Sequence, residues 1–255
     1  MEALLIFVAT GAAAGILAGL FGVGGGLIMV PALAFVGLKM QVAIGTSLAV
    51  IAATSLSSTL AHHRRDGVRW PVFAGLAPGL AGGAALGAFV AHLLSGVVLQ
   101  RIVGTGAVLV AIQMLNKGDA HLYSIKGVRP LYLLAAGSVI GLLSALVGIG
   151  GGSLTVPFLS ACGLNMRHAV GTAAACGIPI AWGGAAAFMV AGAGVAGRPE
   201  PSLGYVSLAA FAGLALASVL TAPLGARLAH TLPQRALKQA FAALLLVIGV
   251  TLLLK

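Results

Sequence analysis

The chain has 255 residues, 60% of them hydrophobic and 7% charged, with 38 glycines and a mean hydropathy of +1.12. Soluble domains carry about a quarter charged residues, so this composition excludes an ordinary soluble enzyme and indicates a polytopic helical membrane protein. Fourteen Lys and Arg against four Asp and Glu give a net charge of +10, but the cations are scattered singly through short polar stretches, which fits the positive-inside rule and not a nucleic-acid surface.

The first apolar segment covers 3–22 and has no Lys or Arg ahead of it, so a retained helix is expected and not a cleaved leader. The run Gly22-Val23-Gly24-Gly25-Gly26 follows, then a segment of only a dozen residues, 26–37. That is too short to cross a core of about 30 Å at 1.5 Å per residue, so it is expected as the returning arm of a glycine-broken or re-entrant pair. Segments 41–61, 71–94 and 98–116 complete an N-terminal membrane repeat, 1–116. A polar cytoplasmic linker, 117–129, leads to a C-terminal repeat, 130–255, with segments 130–147, 152–163, 168–192, 203–229 and 234–254. Its own short segment is introduced by Gly148-Ile149-Gly150-Gly151-Gly152-Ser153.

The two halves are visibly related. Residues 15–46 and 141–172 align without a gap at an offset of 126 and match at 16 of 32 positions. The likeness resumes at an offset of 138, where LGAFVAHLL (86–94) meets LGARLAHTL (224–232) and His92 meets His230. The 12-residue difference falls in the loop containing Gly194, Gly197, Arg198, Pro199, Glu200 and Pro201. Five direction changes per half reverse the second half relative to the first. With the His62–Arg69 loop inside, ten cations fall inside and four outside, as the positive-inside rule requires. The expectation is an all-α membrane protein of two inverted-topology repeats in one integral membrane domain, with both termini outside a bacterial inner membrane.

Inverted repeats with discontinuous helices are a transporter architecture, with substrate held where the half-helices meet. Glycines let the backbone unwind and approach a ligand, and a helix starting after them aims N–H groups and a positive dipole end at the break. Gly24, Gly25 and Gly26, with Gly150, Gly151 and Gly152, are therefore the expected anion-binding backbone. Thr46, Ser47, Ser153 and Thr172 are the expected hydroxyl donors, Thr46 and Thr172 being repeat equivalents in a shared Gly-Thr pair. Thr155 lies near them in sequence. Gly11, Gly15 and Gly19, and Gly75, Gly79, Gly83 and Gly87, recur every four residues and read as packing seams.

Other polar residues are assigned more modest places. Thr54, Ser55, Ser57, Ser58 and Thr59 read as a polar helix end at the surface, and His62 and His63 as part of a solvated loop beside Arg64 and Arg65. Trp70 reads as an interfacial anchor and Trp182 as a packing residue. All four acids, Glu2, Asp66, Asp119 and Glu200, lie outside the apolar segments. Cation carriers usually need intramembrane carboxylates, so an anion handled by amides, hydroxyls and helix dipoles is the better fit. Cys162 and Cys176 offer neither a disulfide framework nor metal-ligand spacing. No cofactor is expected.

The paired G-x-G-G-G-x-x-x-V-P segments at 22–31 and 148–157, each followed by an x-A-x-G-T stretch, resemble the TauE/SafE sulfite exporter family of inner-membrane permeases. The resemblance covers nearly the whole chain. It implies secondary transport of a small sulfur-containing anion such as sulfite, sulfoacetate or another organosulfonate, commonly outward, with Gly24–Gly26 and Gly150–Gly152 as anion-contacting elements. Ser153 stands where the first half has Leu27, so unequal contributions are expected. The partners implied are that anion and membrane lipid, and homo-oligomerisation is compatible with the sequence. An anion channel of the same architecture is the alternative. An intramembrane hydrolase using Ser153 would need a base, and the nearest, His168, has no supporting carboxylate.

Overall fold

In the computed structural model, residues 2–22, 24–116, 130–195 and 199–254 are described, and they form an assembly of helices with one small hairpin. The linker expected at 117–129, together with Gly197 and Arg198, lies outside the described residues. Helices α1 (Glu2–Phe21), α2 (Gly26–Phe35), α3 (Met40–His63), α4 (Trp70–Leu93) and α5 (Gly96–Asn116) precede the linker. Helices α6 (Pro130–Val147), α7 (Gly152–Ala161), α8 (Met166–Ala191), α9 (Leu208–Thr231) and α10 (Gln234–Leu254) follow it. Five of these, α3, α4, α6, α8 and α9, are long and apolar enough to cross a membrane. The protein is a multi-pass membrane protein.

Helices α2 and α7, of ten residues each, begin 126 positions apart, as do α3 and α8, whereas α4 and α9, and α5 and α10, begin 138 apart. Contacts follow the same equivalence. Helix α1 packs along α9, α6 along α4, α5 along α10, and α3 crosses α8. The glycine seams explain the first two pairs. A Cβ at Gly11, Gly15 or Gly19 would collide with the α9 backbone at Leu214, Ser218 or Ala222. One at Gly79, Gly83 or Gly87 would collide with α6 at Leu134, Ser138 or Leu142. Small residues let the helix backbones approach closely, which is how association proceeds where lipid gives no hydrophobic drive.

The strand pair β1 (Ser202–Leu203) and β2 (Val206–Ser207) is an element that the sequence pattern does not announce. Two-residue strands are too short for a period-two pattern, and only the turn residue Gly204, at φ +55°, marks the reversal. The hairpin lies before α9, in the loop that lengthens the second half. Its Tyr205 is buried against Phe188, and the Tyr205 hydroxyl lies 2.9 Å from Nδ1 of His92 at the end of α4.

Candidate functional site

The two glycine segments meet inside the helix assembly. Helix α1 stops at Phe21 and α2 starts at Gly26; α6 stops at Val147 and α7 starts at Gly152. Gly25 and Gly151 occupy the N-cap positions at φ +78° and +55°, which side-chain-bearing residues rarely adopt. Neither supplies a side chain to the first-turn N–H groups. A Cβ on Gly24 would lie 3.3 Å from the Cα of Gly150, and one on Gly26 would lie 2.9 Å from Oγ of Ser47 and strike the Gly148 carbonyl. Ser47 Oγ donates to that same carbonyl at 2.9 Å. The expected residues Gly24, Gly26, Ser47 and Gly150 thus come together, bridging the two halves.

The two threonines are placed elsewhere, each at the start of the other half's fourth helix. Thr46 Oγ1 accepts from the Ser207 N–H at 2.9 Å, immediately before α9. Thr172 Oγ1 accepts from the Arg69 N–H at 2.9 Å, immediately before α4. Ser207 and Arg69 are repeat equivalents at the 138 offset. The preceding glycines make room for this contact: a Cβ on Gly45 would lie 2.7 Å from the Tyr205 carbonyl oxygen, and one on Gly171 2.7 Å from the Gly67 carbonyl carbon. The shared Gly-Thr pair is therefore a clamp on backbone contributed by the opposite half.

Around α7 the polar groups are buried and sparsely partnered. Ser153 is 5% exposed, Ser144 1% and Thr155 fully buried. The hydroxyls of Ser144 and Thr155 have no hydrogen-bond partner. A Cβ on Gly151 would lie 3.4 Å from Thr155 Oγ1, so that hydroxyl is next to the helix start. Leaving a buried hydroxyl unpaired costs about 1–3 kcal/mol. Ser144 carries no weight in the sequence reading, and Thr155 enters it only as a neighbour of the glycines. The repeat comparison holds the missing signal: at the 126 offset they replace Ala18 and Met29.

Three expectations are corrected. His62 is not in a solvated loop; it is the penultimate residue of α3, fully buried, with Nε2 2.8 Å from the Gly19 carbonyl. Thr54, Ser55, Ser58 and Thr59 are buried rather than forming a polar surface end. Thr54 and Ser218 share a 2.6 Å hydrogen bond between α3 and α9, and Ser57 donates to the Val219 carbonyl. Trp182 is not packed inside but is 57% exposed on α8. For His62 and the hydroxyl residues, polar and charged neighbours suggest solvent although the helix continues and buries them; for Trp182, a helix that is apolar all round does not reveal in sequence which face is inward. Among the described residues no three His, Cys, Asp or Glu side chains converge as a metal site would require.

The similarity to known proteins covers nearly the whole chain. Residues 7–252 match the family described as Sulfite exporter TauE/SafE. A "probable membrane transporter protein" of Haemophilus influenzae is 36% identical over 264 residues, covering 99% of this chain and 98% of its own length. A protein of the same description from Methanocaldococcus jannaschii is 26% identical, covering 98% and 95% of the two chains. The "probable membrane transporter protein YunE" of Bacillus subtilis is 33% identical over 60% of this chain and 66% of its own. No solved structure gives a significant match.

Proposed function

The chain belongs to the Sulfite exporter TauE/SafE family, and on that premise we propose that it is a secondary transporter, exporting a small sulfur-containing oxyanion such as sulfite or an organosulfonate. The observation that carries this reading is the unpartnered buried hydroxyl of Thr155 beside the N-terminal end of α7; a second unpartnered hydroxyl, Ser144, is buried on α6, the helix that leads into the same glycine segment. An oxyanion there would accept from the Thr155 hydroxyl and from the Ser153 N–H, since the N–H groups of Gly152, Leu154 and Thr155 already donate to the Gly150 and Gly151 carbonyls, while the helix dipole favours its charge. Ser153 and the segment Gly150–Gly152 line this side and pack against Gly24–Gly26, while Ser47, whose hydroxyl donates to the Gly148 carbonyl, ties the two glycine segments together. Thr46 and Thr172 act one layer away, holding the chain that leads into α9 and α4.

Reciprocal pairing of α1 with α9 and α6 with α4 supports a two-fold relation between the repeats; taken as oppositely oriented, they rock about the glycine segments to expose the site alternately. With both termini outside, the arginine-rich ends of α3 and α9 face the cytoplasm. A membrane potential favours anion exit by about 2.3 kcal/mol per charge per 100 mV, so export needs no coupling ion. The test is efflux of sulfite and of sulfoacetate from proteoliposomes with an imposed potential. Flux above empty vesicles, accelerated by an interior-negative potential, is expected; flux equal to empty vesicles for every sulfur oxyanion overturns the reading.

A further inference from the structure

Helices α3 and α9 leave an outward-facing groove of about 320 Å³ whose lining includes Leu60, Arg64, Arg65, Pro223 and Arg227. All three arginines are exposed, and the lining contains no carboxylate. Arg65 is steadied by donating from Nη1 to the Ala61 carbonyl at 3.0 Å. Two rows of side chains lead into the groove. On α3, Leu56 and Leu60 precede Arg64 at four-residue spacing; on α9, Leu216 and Leu220 precede Pro223 and Arg227. Residues so spaced share one helix face, and the four leucines are 48–69% exposed. The groove therefore runs from bare hydrocarbon to concentrated positive charge along the two helices.

The repeat-equivalent helix pair, α8 with α4, provides an internal comparison. Its counterparts of Arg64, Arg65 and Arg227 are Val190, Ala191 and Phe89. The packing of these helix pairs is shared by both halves; the cations are not. The repeat fold does not require them, so they belong to one membrane face.

We propose that the α3–α9 groove binds an anionic phospholipid, with its phosphate on Arg64, Arg65 and Arg227 and its acyl chain along Leu56, Leu60, Leu216 and Leu220. Guanidinium groups match phosphate oxygens bidentately, and the apolar rows match a lipid rather than a soluble anion. The site rests on the chain's being a membrane protein and not on what it carries.

The full chain in detergent, supplied with equal phosphatidylglycerol and phosphatidylcholine, is read by native mass spectrometry. Preferential retention of phosphatidylglycerol is expected, falling about five-fold for each of Arg64→Gln and Arg227→Gln and unchanged in Val190→Ala. A preference for phosphatidylglycerol that persists undiminished in the double variant overturns the proposal. So does displacement of the lipid by millimolar inorganic phosphate or sulfite, which would mark a soluble-anion site. The wild type gives an independent reading: photoactivatable phosphatidylglycerol should label residues 56–65 and 216–228, and labelling spread evenly over the outer surface overturns the site. Loss of lipid selectivity leaves the sulfite efflux test unaffected, so the two proposals fail separately.

Discussion

His62 and His230 meet ring to ring, with Nδ1 of His62 3.1 Å from Nε2 of His230. The tautomers follow from the third partner. A carbonyl only accepts, so the 2.8 Å contact with Gly19 places the proton on His62 Nε2. The neutral ring then has a bare Nδ1, which accepts from the Nε2–H of His230. One imidazole thus ties α3 to α1 and α9 at the end where the two halves interlock.

Replacing His62 by Ala removes both bonds and a fully buried ring, so unfolding in detergent should cost about 2–4 kcal/mol less than in the wild type. His230→Ala, at a half-buried position, should cost about 1 kcal/mol. Thermal unfolding of the two purified variants checks the order; equal losses would mean that the Gly19 bond contributes nothing.

Thr46→Val and Thr172→Val each strand a backbone N–H, of Ser207 and Arg69 respectively. Both should lose about 1–3 kcal/mol, and Thr→Ser at either position should restore most of it. Denaturation of the four single variants measures this. Unequal losses from the two valine variants would argue against equivalent clamps.

Thr155→Val and Ser144→Ala should behave in the opposite sense. Their hydroxyls have no partner, so removal should leave stability unchanged or slightly raised. A hydrogen bond to a charged group is worth about 1.5–3 kcal/mol, so sulfite efflux should fall about ten-fold or more. Unfolding and flux measured on the same preparations separate the two effects. Undiminished flux would remove both residues from the site.

Adjacent glycines on α4 provide a test of the packing seam. Gly82 faces open space, so Gly82→Ala should raise helix stability by up to about 1 kcal/mol. A Cβ on Gly83 would strike the Ser138 carbonyl of α6, so Gly83→Ala must push the helices apart and should cost about 1–3 kcal/mol. Expression level and melting temperature of the pair give the comparison.

Helix boundaries were legible in the sequence because glycine runs, prolines and loop cations punctuate otherwise apolar segments. The four-residue glycine spacing likewise marked α1 and α4 as closely packed, without indicating that α9 and α6 would be the partners. Facing was not legible. Thr54 opens a run of hydroxyl residues and Trp182 sits in a segment apolar on every side, so nothing local directs the threonine inward to Ser218 or the tryptophan outward. The Gly-Thr pair was conspicuous as a repeat, but its partners, Ser207 and Arg69, lie in the opposite half. Local pattern carries no information about a contact 161 or 103 residues away.

The α1–α9 seam also sets a timetable. Gly15 is seated on Ser218, a residue the ribosome adds about two hundred positions later, roughly ten to forty seconds at 5–20 residues per second. During that interval the first helix stands in the bilayer with its glycine face open and its permanent neighbour not yet made. The order of synthesis leaves α1 waiting for α9 and α5 waiting for α10, so the two early helices close their contacts only as the C-terminal half is completed.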